Sequence, residues 1–137
     1  MLVGNIIGDP RVLDPWRSLF THVAHVPTWE MPKIYRSASV FVLPTIVEGM
    51  GLVVLEAMAS GIPAIVTANG PGDIVRDGIV VPTQDHGAIH SALRRLYDDP
   101  ALARSLGISA RERALEFSWD AYCERVDEVL SGYGRVA

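Results

Sequence analysis

The sequence predicts an α/β domain: a Rossmann-like, mostly parallel sheet flanked by helices, with extra helices at the C-terminal end. Three observations lead there. Short β-rich apolar runs alternate with stretches of helical spacing four or five times along the chain, the pattern of strands joined by crossover helices. The clearest run, Ser39 to Leu43 (SVFVL), has no polar alternation, as expected of a strand covered on both faces. After Val81 the alternation gives way to consecutive helical patterns.

Leu2 to Ile7 reads as a buried strand closed by the turn Gly8-Asp9-Pro10. Asp14-Pro15-Trp16 fits an N-cap followed by proline at the first helical position, opening a short helix to about Leu19. Phe20 to Val26 is β-rich and stops at Pro27, so it predicts a second strand. Thr28 is the predicted cap of a helix from Trp29 to Ser37, with Met31, Ile34, Tyr35 and Ala38 at helical spacing. Pro44 ends the strand Ser39 to Leu43, and Thr45 to Met50 form a loop. Gly51 to Ser60 carry helical spacing, and Gly61 is the expected left-handed terminator. Ala64 to Thr67 is a strand, Asn69 to Gly72 a loop, and Asp73 the expected cap of a short turn to Arg76. Ile79 to Val81 is a brief strand. Asp85 caps a helix to Tyr97, Asp98-Asp99-Pro100 breaks it, Ala101 to Glu116 is helical again, and Ser118 caps a last helix from Trp119 to about Leu130.

At 137 residues the chain has room for one domain, expected over residues 1–137. Apolar residues at 49% and charged residues at 20% are those of a globular protein, not of a disordered or fibrous one. A net charge of −4 argues against broad binding to nucleic acid or anionic membrane. One cysteine, Cys123, allows neither an internal disulfide nor a cysteine zinc site. Its apolar helical pattern predicts a packed core residue. No run of about 18 apolar residues exists to span a membrane. The first residues lack a signal peptide's basic flank and length, so a soluble, cytoplasmic protein is expected. His22 with His25, and His86 with His90, have the spacing of metal pairs but no third ligand nearby in sequence, so no metal is expected. Trp16, Trp29 and Trp119 are expected as packing anchors.

The segment that carries chemistry is Thr45 to Gly61, TIVEGMGLVVLEAMASG. It leaves a buried strand and enters a helix. Ligands of open α/β sheets bind beyond the carboxyl ends of the strands. Gly49 and Gly51 let backbone approach a ligand closely and take positive φ where required. The helix start aims unpaired N–H groups and the positive end of its dipole at the same place, which suits a phosphate. Glu48 lies before the helix and Glu56 inside it, roughly 7–8 Å along the axis. That is too far for one proton relay but suits two diol contacts on an extended ligand. The same residue types also fit a bare strand-to-helix turn, with Glu48 capping and Glu56 on a solvated face.

Glu48-Gly49-Met50-Gly51-Leu52 followed by Glu56-Ala57-Met58-Ala59-Ser60-Gly61 resembles the signature of the retaining glycosyltransferases of family 4, including seven residues between the two acids. Met31 to Thr45 upstream, and Gly61-Ile62-Pro63-Ala64-Ile65-Val66 and Phe117-Ser118-Trp119 downstream, are similar to the same family. The resemblance spans roughly residues 20 to 131. It implies half of a GT-B fold, the donor-binding half, with a nucleoside-diphosphate sugar as substrate and no metal or other cofactor. By position, Glu48 would be the catalytic-site acid on the transferred sugar's hydroxyls. The backbone of Gly49, Met50, Gly51 and Leu52 would meet sugar and diphosphate, Glu56 the ribose diol, and Val26 and Pro27 the base.

Departures from the family pattern set further expectations. The family's phosphate-binding Arg and Lys follow a strand that would precede Met1, and Arg11, Arg17 and Lys33 do not stand in their place. The acceptor domain is likewise outside these residues. His25 replaces a usual glycine near the base, Asp73 a common Glu, and Asp77-Gly78 shortens a loop. A Rossmann-like sheet lacking its central first strand is expected either to pair the neighbouring strands directly or to take a strand from another chain, as a homo-oligomer or with a complementary acceptor-domain chain. The isolated chain is expected to bind nucleotide sugar weakly and catalyse little. The alternative function is a non-catalytic assembly module built on a truncated transferase fold.

Overall fold

The computed structural model describes residues 1–76 and 78–133, and Asp73 by its backbone alone. The expectations for the Asp73 side chain and for Asp77 therefore lie outside the described residues. Contacts group into two units, Met1–Ile34 and Tyr35 onward.

In the first unit, β1 (Leu2–Val3) pairs in parallel with β2 (His22–Val23), Leu2 opposite His22 and Val3 opposite Val23. Both are shorter than the apolar runs that predicted them. Gly4, at φ +120°, turns the backbone out of the extended region directly after Val3 and ends the ladder. The His22 ring nitrogen Nε2 lies 2.8 Å from the Gly4 carbonyl oxygen. Between the strands, Pro10–Leu19 winds as a 3₁₀ segment. Its cap is Asp9, not Asp14: Asp9 Oδ1 accepts the Arg11 backbone N–H at 3.0 Å. The Arg11 guanidinium also returns to Asp9, at 2.8–3.0 Å. Those bonds hold the Asp9 carboxyl below its usual range. Pro10, already the first residue of the turn, satisfies the cap rule one proline earlier than expected. A second 3₁₀ turn, Thr28–Glu30, starts after Pro27 with no side-chain cap, so Thr28 is inside the turn and caps nothing. It leads into α1 (Met31–Arg36).

The second unit holds the parallel sheet β3 (Phe41–Leu43), β4 (Ala64–Thr67), β5 (Ile79–Val81), in that order. β4 is central and all four of its residues are buried. Its alternation divides the core, as a period of two requires. Ala64 and Val66 pack with Val54, Met58 and Ala110, from α2 (Leu52–Ala59) and α4 (Pro100–Leu115). Ile65 packs with Val81, Ala92 and Leu96, the last two from α3 (His86–Asp98). The predicted caps Asp85 and Ser118 fall where the sequence puts them, and Asp99, expected only within a helix break, caps α4. Asp85 accepts the Ala88 N–H at 2.8 Å, Asp99 the Leu102 N–H at 2.9 Å, and Ser118 the Ala121 N–H at 3.1 Å. Gly61 ends α2 at φ +78°. Its N–H reaches Met58 O and that of Ile62 reaches Ala57 O, the paired bonds of a Schellman motif.

Two expectations fail. Cys123 is exposed. Trp16, Trp29 and Trp119 are exposed as well. The cause is clearest in α5 (Trp119–Tyr133), which buries none of its residues: Trp119, Tyr122, Val126, Val129 and Leu130 form an uncovered apolar stripe. Helical spacing tells which face is apolar, not that anything lies on it. No helix among the described residues is long and apolar enough to cross a membrane.

Candidate functional site

The loops after β3 and β4 are stitched together at the carboxyl end of the sheet. The buried Thr67 hydroxyl donates to the Thr45 carbonyl at 2.6 Å, and the two hydroxyls lie 3.2 Å apart. The Glu48 N–H reaches the Asn69 carbonyl at 3.4 Å, and Gly70 N–H turns back to Thr67 O at 3.1 Å. Both strands are thus committed to one loop cluster, and α2 rises from it.

Gly51 makes the entry into α2 with φ +59° and ψ +53°. A Cβ there would sit 3.0 Å from Pro71 Cγ, so the conformation favours glycine and the space beside it is tight. Among the described side chains none caps α2. The Val54 N–H bonds Gly51 O, and helix geometry gives Leu52 and Val53 no carbonyl one turn upstream. Two N–H donors therefore point out of the helix start. Gly49 does not take positive φ. A Cβ on it would meet nothing within 4 Å, so its surroundings are open.

The two acids have different settings. Glu48 is exposed, and its Oε1 accepts the N–H of Gly49 at 3.0 Å. It binds its own loop and does not cap the helix. Glu56 is the fifth residue of α2, with its Oε2 accepting the Tyr35 hydroxyl at 2.8 Å. It is exposed but tethered, unlike the free solvated acid of the bare-turn reading. Tyr35 is 4% exposed and meets Phe41 edge-on, ring centroids 5.8 Å apart. Sequence reading missed it because the helical spacing of Met31, Ile34, Tyr35 and Ala38 marks only an apolar face. The available signal was that a buried tyrosine hydroxyl needs a partner. Burial first, then the bond to Glu56 and its negative charge, hold the phenol well above its ordinary value of 10.0.

That shift has an alkaline signature. Below about pH 10 the phenol is protonated in folded and unfolded chains alike, and its contribution to stability is complete. Above it the unfolded chain loses the proton first, and stability falls as pH rises. Thermal unfolding from about pH 9 to pH 11 should show this decline, and Tyr35→Phe should flatten it.

Met50 and Leu52 are exposed beside the acids. Val26 and Pro27 are half-buried in the first unit, beyond β2. Arg11 and Arg17 are paired with Asp9 and Asp14. Crevices of about 350 and 320 Å³ are lined by other residues, including Val40, His90 and Tyr97 in one and Gly107, Ile108 and Arg111 in the other. Glu48 and Glu56 are both exposed.

Residues 4–99 match the family described as glycosyl transferases group 1. The chain belongs to that family. It is 38% identical over 115 residues to the D-inositol 3-phosphate glycosyltransferase of Streptomyces bingchenggensis, a match covering 78% of this chain and 25% of that protein. A GDP-mannose-dependent alpha-(1-6)-phosphatidylinositol monomannoside mannosyltransferase of Mycolicibacterium smegmatis is 34% identical over 119 residues, 78% of this chain and 31% of that one. The chain thus spans a quarter to a third of these relatives. Among solved structures, the sucrose-phosphate synthase of Thermosynechococcus elongatus superposes with a TM-score of 0.83 at 30% identity, over 99% of this chain and 38% of that one. The C-terminal domain of a group 1 glycosyl transferase of Francisella tularensis gives 0.67 at 25%, over 80% and 65%. These glycosyltransferase neighbours fit half of a GT-B fold.

Proposed function

We propose that this group 1 glycosyltransferase chain is the donor-binding part of a retaining, metal-independent enzyme that takes a nucleoside-diphosphate sugar. The observation that carries the reading is the uncapped start of α2, placed at the carboxyl end of the sheet between Glu48 and Glu56. The N–H groups of Leu52 and Val53 face the diphosphate, with the backbone of Gly49, Met50 and Gly51 beside it. Glu48 binds hydroxyls of the transferred sugar, and Glu56 binds the ribose diol. Val26 and Pro27 are assigned to the base on the family resemblance alone.

Charge builds on the diphosphate as the glycosidic bond breaks, and a helix start stabilises it without a divalent cation. A helix dipole supplies about 0.3–2 kcal/mol, whereas enzymes lower barriers by about 8 kcal/mol or more. The larger share must come from cationic groups and an acceptor site beyond these residues, so the isolated chain binds donor weakly and turns over little.

Calorimetric titration with uridine and guanosine diphosphates tests the reading. One of them should bind, and Glu56→Ala should weaken it about 10- to 100-fold, the loss expected for charge-assisted hydrogen bonds. A second reading, a non-catalytic assembly module, is favoured by β3. Its sequence is that of a strand covered on both sides, yet it is a half-buried edge. Such an edge accepts a strand from a second copy or from an acceptor-domain chain. Stable oligomers in light scattering with no nucleotide binding would favour that module over a donor site.

A further inference from the structure

We infer that Tyr35 is a positioning residue that sets Glu56 for the ribose diol; this rests on the donor-site reading above. Glu56 projects from the second turn of α2 into an exposed setting. A glutamate left free there samples several rotamers, and binding would have to freeze them. The hydroxyl of Tyr35, 2.8 Å from Oε2, removes that freedom beforehand. Tyr35 can do this because it is itself fixed: its ring is buried and packed edge-on against Phe41 at the start of β3. The sheet therefore sets the carboxylate through one buried ring.

The hydroxyl occupies only part of the carboxylate. An ionised carboxylate has about four acceptor positions, and one is taken. Oε1 and the second lone pair of Oε2 stay open to two adjacent hydroxyl groups. The Tyr35 phenol keeps its proton at neutral pH, as any tyrosine does, and burial with the Glu56 bond raises its pKa further. It therefore stays a donor, and Glu56 is left as an acceptor that selects a ligand with hydroxyls to give. A 2′-deoxyribose has one fewer.

The test compares binding of uridine and guanosine diphosphates with their 2′-deoxy analogues in four forms of the chain: unmodified, Tyr35→Phe, Glu56→Ala and the double variant. Phenylalanine keeps the ring and its contact with Phe41. Tyr35→Phe should weaken the ribonucleotide about 3- to 10-fold, the ordering cost of one side chain no longer set beforehand. It should also reduce the preference for ribose over 2′-deoxyribose, and have no further effect once Glu56 is alanine. Failure of the two ideas looks different. If neither nucleotide binds at millimolar concentration, or Glu56→Ala leaves affinity unchanged, the donor-site reading falls and takes the inference with it. If Glu56→Ala weakens binding but Tyr35→Phe leaves the ribose preference intact, the inference alone is wrong. A loss from Tyr35→Phe that persists in the Glu56→Ala background also refutes it, since the ring then acts only through stability.

Discussion

Gly107→Ala is expected to destabilise the chain by about 2–3 kcal/mol, near the upper end for an overpacked core position. Gly107 is buried in the middle of α4, where α4 crosses the end of α2. A Cβ built there would lie 2.4 Å from the Gly61 carbonyl oxygen and 3.5 Å from Pro63 Cδ. The obstacle is backbone, so no rotamer change relieves it. Gly61 cannot retreat freely, because it closes the Schellman motif at φ +78° and leads through Pro63 into the central strand. The intrinsic helix preference of alanine over glycine, about 1 kcal/mol, acts in the opposite direction and is already included. The thermal unfolding midpoint should fall by about 7–10 °C for a chain of this size. A midpoint at or above that of the unmodified chain would show that α4 does not pack on α2 this closely.

The second unit was legible in the sequence because each of its signals is local and its core is made of the same short segments. FVL within SVFVL, AIVT and IVV form the sheet, and Gly61, Asp85 and Ser118 act where their types predict. The first unit was less legible. Apolar runs predicted strands from Leu2 to Ile7 and Phe20 to Val26, but a strand's length is fixed by its partner, and a two-residue ladder stops where Gly4 leaves the extended region. Asp9 and Asp14 both precede prolines, and composition could not choose between them; the two-pronged return of Arg11 to Asp9 did. Cys123 and the tryptophans were misread because burial depends on what covers a face. In the site, type and spacing marked the residues about α2 as a candidate, and the family resemblance separated a ligand site from a bare strand-to-helix turn. Tyr35 was not marked, because its contribution is one hydrogen bond across 21 residues of sequence, and periodicity along a helix carries no information about contacts of that range.

Gly49 and Gly51 offer the sharpest separation of a ligand site from a plain strand-to-helix turn, because the structure gives them opposite roles. Gly51→Ala should cost about 1–2 kcal/mol from its left-handed backbone alone, with the Pro71 contact at 3.0 Å adding to it. That loss is expected whether or not anything binds, so it reports only on the turn. Gly49→Ala should change stability by no more than about 0.5 kcal/mol, since its φ is ordinary and a Cβ would meet nothing within 4 Å. If the space beside Gly49 belongs to a diphosphate sugar, the new methyl group stands where the ligand's backbone contact should be. Affinity for the nucleoside diphosphate should then drop about tenfold, or about 1.4 kcal/mol, at an unchanged melting temperature. Retained affinity in Gly49→Ala would leave this glycine with no part in binding and would move the diphosphate away from the Glu48 loop. A drop in both affinity and melting temperature would instead mean that the loop is tighter than its open surroundings indicate, and that Gly49 serves the turn.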